Sequence, residues 1–82
     1  MATLLMIDDV VFTGEREFFD DTEEGMEQAR DALRGLVIRL ESDGTTLTRD
    51  ELNDVYISRV GAGVYERVIT ADELKEEDGG RR

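Results

Sequence analysis

The chain has 82 residues with a formal net charge of −11, 39% hydrophobic residues, and neither cysteine nor histidine. That length fits one small domain burying only about 60–65% of the surface its unfolded form exposes. It has no disulfide or thiolate metal site to staple it, and it lacks the side chain most used for zinc and for acid–base work near neutral pH. No apolar run approaches the ~20 residues of a membrane-spanning helix, and the leaderless, cysteine-free start reads as a cytoplasmic protein, in a host cell if phage-encoded.

Nine carboxylates (Asp8, Asp9, Glu15, Glu17, Asp20, Asp21, Glu23, Glu24 and Glu27) stand against one base, Arg16, in the first third of the chain. Charge of one sign repels itself in a compact fold. Such a block implies either adaptation to a salty solvent or a positively charged partner. Lys75 is the single lysine against nine arginines; both a salt-loving cell and a GC-rich genome produce that bias.

In chain order, the apolar runs over Leu4–Phe12 and Glu15–Phe19 predict two strands, with Thr13-Gly14 as the hairpin turn. Asp8-Asp9 conflicts with a continuous strand and implies a bulge or break. Residues 22–42 read as the main helix, capped by Asp21 or Thr22, with Glu23 and Glu24 on the positive end of its dipole. Met26, Ala29, Leu33, Leu36 and Leu40 form an amphipathic stripe, broadened by Val37 and Ile38 toward a more buried C-terminal half. Gly44 supplies a stop, and Gly35 suits close approach to a sheet.

Thr48-Arg49-Asp50-Glu51 fits a capping box opening a short helix. Residues 55–60 suit helix or strand; Gly61-Ala62-Gly63 and the run Val64–Thr70 favour a hairpin with a three-residue loop. Alternation then places Val64, Glu66 and Val68 on one face and Tyr65, Arg67 and Ile69 on the other. Thr70-Ala71-Asp72-Glu73 is a second capping box, starting a short acidic helix to about Glu77. Residues 79–82 read as a disordered tail outside a single domain of residues 1–78, and no internal repeat is visible. The fold class expected is α+β: an antiparallel sheet of three to four strands packed on one main helix.

Chemistry is poorly supplied. Residues 40–52, with Thr46-Leu47-Thr48-Arg49-Asp50-Glu51-Leu52, resemble the second half of a calcium-binding EF-hand loop, but the ligands do not follow. With Glu51 as the twelfth position, the first, third and fifth are Leu40, Ser42 and Gly44; with Gly44 as the invariant glycine, the first is Arg39. Ser42 and Ser58 have no histidine to activate them. Gly61-Ala62-Gly63 is a turn rather than a phosphate loop. No catalytic residue, metal ligand or cofactor is expected.

The acidic block is the remaining feature. Side chains three and four apart on a helix lie about 5–6 Å apart, near the spacing of successive phosphates along a nucleic-acid strand. Asp20, Asp21, Glu23, Glu24, Glu27 and Asp31 would form a phosphate-like row, with Phe19 or Phe18 as an apolar anchor and the acids of 72–78 as an extension. In size and charge the chain resembles small acidic inhibitors that mimic DNA, common in phage counter-defence. The expectation is non-catalytic binding to a protein with a basic surface, such as a nucleic-acid-binding protein, with no direct contact to nucleic acid or membrane. The second reading is an assembly subunit, a homodimer, whose acidity is solvent adaptation.

Overall fold

The computed structural model describes residues 3–9 and 12–79. Four strands, β1 (Thr3–Asp8), β2 (Arg16–Asp20), β3 (Tyr56–Gly61) and β4 (Val64–Thr70), form one antiparallel sheet in the order β2-β1-β3-β4. Three helices accompany it: α1 (Glu23–Leu40), α2 (Arg49–Asn53) and α3 (Ala71–Gly79). The expected α+β class, the main helix and the acidic C-terminal helix are all present. The topology is two successive ββα units joined through the central β1–β3 pair, with α2 inserted between them.

Strand β1 ends at Asp8, short of the expected Phe12. Asp9 is buried, and its carbonyl accepts the backbone N–H groups of Phe12, Thr13 and Gly14, while its carboxylate accepts the Thr13 hydroxyl. The aspartate that conflicts with a strand instead closes the β1–β2 turn, which Gly14 completes at φ 77°. Val10 and Val11 lie outside the described residues, as do Gly80–Arg82 of the expected tail.

Thr22 caps α1, its hydroxyl accepting the Gly25 N–H at 3.0 Å. The helix begins as expected and stops at Leu40, two residues early, where Glu41 and Ser42 turn back onto its last carbonyls. Close approach to the sheet belongs to Gly25 rather than Gly35. A Cβ on Gly25 would lie 1.8 Å from the Asp20 carbonyl oxygen, whereas one on Gly35 would meet nothing within 4 Å.

The capping boxes at Thr48/Glu51 and Thr70/Glu73 are both formed. Residues 56–61 are strand, and the hairpin loop is the two residues Ala62-Gly63 rather than three, with Gly63 in the left-handed region at φ 78°, which glycine enters without steric cost. The face assignment of β4 is corrected by a bulge. Ile57 pairs with Ile69 but Ser58 with Arg67, leaving Val68 as the extra residue. That residue reverses the alternation, so Ile69 enters the core while Tyr65 and Arg67 face the other way.

The core is one cluster: Leu5, Ile7, Ile57 and Ile69 from the sheet meet Ala29, Leu33, Leu36 and Val37 of α1, Leu52 of α2, and Ala71 and Leu74 of α3. All three helices therefore lie on the same face of the sheet.

Candidate functional site

The uncovered face of the sheet follows from the register. Leu4 pairs with Asp20 and Val60, Met6 with Phe18 and Ser58, and Val60 with Tyr65, so these residues share the face opposite the core. Leu4 is 43% exposed, Phe18 56% and Tyr65 60%, three of the five large apolar or aromatic residues most open to solvent among those described. Met6 and Ser58 form a buried floor beneath them. The Ser58 hydroxyl donates to the Met6 carbonyl at 3.4 Å. The hydroxyls of Tyr56 and Tyr65 meet at 2.7 Å, and Arg67 stacks 4.1 Å from the centre of the Tyr56 ring. The hydrogen bond with Tyr56, aided by desolvation, holds the Tyr65 phenol above its ordinary value.

Of the two phenylalanines offered as anchor by the sequence, Phe18 occupies this open face, while Phe19 pairs with Leu5 and packs against the core. The sequence shows only that the two point oppositely; which of them is exposed is set by the pairing of Met6 with Phe18.

The carboxylates of the expected row divide into two kinds. Asp21 accepts the Thr3 hydroxyl and the Arg59 Nε–H at 2.8 Å. These two hydrogen bonds, led by that from Thr3, hold its carboxyl below the usual range. It is a structural clip, not a free charge. Asp31 pairs with Arg34 at 2.8 Å. By contrast, Asp20, Glu23, Glu24 and Glu27 are exposed and make no ion pair among the described residues. They converge where β2 runs into α1, because Gly25 brings the first turn of the helix against the end of the strand. Glu15 and Glu17 lie at the other end of β2, in a shallow depression shared with Leu36 and Arg39 of the later turns of α1.

The C-terminal acids do not extend this group. Asp72 and Glu76 pair with Arg49, Glu77 with Arg30, and Asp78 with Arg34, while Glu73 is used in the Thr70 cap. Arginine thus offsets acid along α3, while the β2–α1 corner is uncompensated, as are Glu15, Glu17, Asp43, Asp50 and Asp54 elsewhere among the described residues. Among the described residues, no group of three or more carboxylates is placed to hold a metal ion. No described helix is long and apolar enough to cross a membrane.

The arrangement presents an apolar and aromatic strip (Leu4, Phe18, Val60, Tyr65) bordered at Asp20 by four unpaired carboxylates. No protein-family model matches the chain, and neither a curated protein nor a solved structure matches it.

Proposed function

We propose that the protein is a non-catalytic binding module that engages a basic protein surface through the β2–α1 corner, with Phe18 on the open sheet face as the anchor. The observation that carries this reading is the adjacency of Asp20, Glu23, Glu24 and Glu27, none of them in an ion pair among the described residues, to the exposed Phe18. Glu15, Glu17, Asp43, Asp50 and Asp54 are exposed and unpaired elsewhere among the described residues, but at this corner four such carboxylates stand beside an exposed aromatic residue. Asp20, Glu23, Glu24 and Glu27 supply long-range attraction, which raises the association rate and weakens as salt screens it. Phe18 supplies the desolvated contact that holds the complex together. The helical spacing of the glutamates also suits a site that ordinarily grips a phosphate backbone, so the partner is a nucleic-acid-binding protein and the outcome is inhibition by occupancy.

The test is affinity capture from the source cell, identification of the partner by mass spectrometry, and titration of the purified pair. The triple reversal Glu23→Lys, Glu24→Lys, Glu27→Lys should abolish binding, and Phe18→Ala should weaken it by about 1–2 kcal/mol. Duplex DNA should compete with the wild-type chain for the same partner. A complex indifferent to both sets of substitutions overturns the proposal.

A further inference from the structure

We infer that the outer edge of β2 pairs antiparallel with β2 of a second copy of this chain, about a two-fold axis at Phe18. In the order β2-β1-β3-β4 this strand is hydrogen-bonded on one side only. The Asp9 N–H donates to the Glu15 carbonyl at 3.2 Å, and bonded pairs alternate along an antiparallel ladder. Ile7 with Glu17 and Leu5 with Phe19 therefore carry the β1–β2 bonds. The N–H and C=O groups of Arg16 and Phe18 and the N–H of Asp20 point outward, while the Asp20 carbonyl accepts the Thr22 N–H at the start of α1. Such an edge is a template for another strand. The opposite edge suits pairing less, because the bulge at Val68 interrupts β4. Strand β2 keeps an unbroken register from Arg16 to Asp20 and contains neither proline nor lysine.

The residues of β2 favour a second copy as the occupant. Arg16, Phe18 and Asp20 share the open face of the sheet. Centred on Phe18, self-pairing sets Phe18 opposite Phe18 and Arg16 opposite Asp20 on both sides of the axis. Centred on Glu17 it would oppose two glutamates, and centred on Phe19 it would set Phe18 against Asp20. The charges are available for the pairing. Asp20 is in no ion pair among the described residues. Arg16, its side chain 56% exposed, donates to Asp8 through Nε alone at 3.3 Å, so its terminal amino groups make no hydrogen bond among the described residues. In this register the two Phe18 residues exchange backbone hydrogen bonds, and each Asp20 N–H meets the Arg16 carbonyl opposite. Facing aromatic and opposite-charge pairs are those that stabilise a ladder. On the helix-covered face Glu17 falls opposite Phe19, so no carboxylates of the two strands oppose each other. Beside β2 the later turns of α1 contribute Ala32, Leu36 and Arg39, which add no acid to the seam. The contact is isologous and joins the two sheets into one. Glu23, Glu24 and Glu27 take no part in it, so the inference does not rest on the basic-partner reading.

Sedimentation equilibrium of the full chain at physiological salt, across a wide concentration range, should show the mass rise from that of one chain to that of two. Arg16→Asp opposes carboxylates on both sides of the axis and should weaken the dimer by at least about tenfold, as should Asp20→Arg, which opposes arginines. The two positions lie on the same strand, so Arg16→Asp combined with Asp20→Arg restores opposite charges only between copies and should recover the dimer. Circular dichroism verifies the fold of each variant. The wild-type chain gives a readout that needs no substitution. Amide hydrogen exchange at Phe18 and Asp20 should slow by at least about tenfold from dilute to concentrated solution, while Glu17 and Phe19, bonded to β1 in both states, should change far less. Arg16→Asp should leave capture of a basic partner undiminished, which separates this edge from the acidic corner. A single-chain mass at every concentration overturns the inference. So does a dimer whose Phe18 and Asp20 amides exchange at the dilute rate, one that both single reversals leave intact, or a folded double variant that stays a single chain.

Discussion

The carboxylate of Asp21, just past the end of β2, accepts the Arg59 Nε–H at 2.8 Å from β3 although β1 lies between those two strands. Thr3 of β1 donates to the same oxygen, so one carboxylate binds three strands at the end of the sheet from which α1 departs.

Acid should release this clip. The folded-state value of Asp21 is below its ordinary 3.8, so the unfolded state takes up the proton first as pH falls. Its contribution is fully present above about pH 4 and is lost as pH drops through the folded value. Asp21→Asn should lower the urea midpoint at pH 7, and the gap from wild type should close below pH 4. Urea titrations at several pH values measure it; a gap independent of pH would deny Asp21 this role.

The two helical glycines should respond in opposite ways. Gly35→Ala should stabilise the dilute chain by about 0.5–1 kcal/mol through helix propensity. Gly25→Ala must displace the backbone at Asp20, 1.8 Å from the new Cβ, and should destabilise by more than that gain. It would also move the acidic corner, so partner binding should fall with it. Denaturant melts of both variants decide the matter.

Leu33 has no exposed surface and sits where α1 meets the sheet. Leu33→Ala should cost about 2–5 kcal/mol, each kcal/mol lowering the melting temperature by roughly 4–8 °C in a domain this small. Leu4→Ala, at a 43% exposed position, should change the melting temperature far less, and calorimetry compares them directly.

Tyr65 should ionise above the ordinary value of 10.0 because its hydroxyl is hydrogen-bonded to Tyr56. Tyr56→Phe removes that partner, and the Tyr65 titration, followed by ultraviolet absorbance of the phenolate, should move down. Arg67 would lose a cation–π contact in part only, since the ring remains.

Neutralising the corner should stabilise the fold. Asp20→Asn with Glu27→Gln removes like charges that have no internal partner among the described residues, while leaving Glu23 and Glu24 on the helix dipole. The gain should be a few tenths of a kcal/mol at low salt and vanish at high salt. Circular dichroism melts across a salt series give this number; a loss of stability would mean that these side chains hold the fold together.

Main-helix identity was readable because the stripe from Met26 to Leu40 is local, recurring at helical spacing and capped by Thr22 within the same segment. The features that decide the site were not local. Val68 becomes a bulge only through the pairing of β4 with β3, so alternation within β4 misplaced Ile69. Phe18 rather than Phe19 is exposed because of a register with Met6, twelve residues away. Asp21 looks like its acidic neighbours until Thr3 and Arg59 are brought to it. The residues that the sequence put in the acidic row and that remain unpaired, Asp20, Glu23, Glu24 and Glu27, are those with no arginine folded back onto them.

The order β2-β1-β3-β4 carries a consequence for assembly of the chain itself. Each outer strand is joined to its inner neighbour by a short hairpin, so both hairpins can form quickly. The inner pair, Leu5 with Arg59 and Ile7 with Ile57, closes a loop of some fifty residues and pays the larger entropy. Neither ββα half encloses a complete core alone, since Leu33 and Leu74 belong to one cluster. A chain cleaved between α1 and α2 should therefore yield two fragments that are poorly ordered apart and regain the native sheet when mixed, with the β1–β3 seam as the line along which they rejoin.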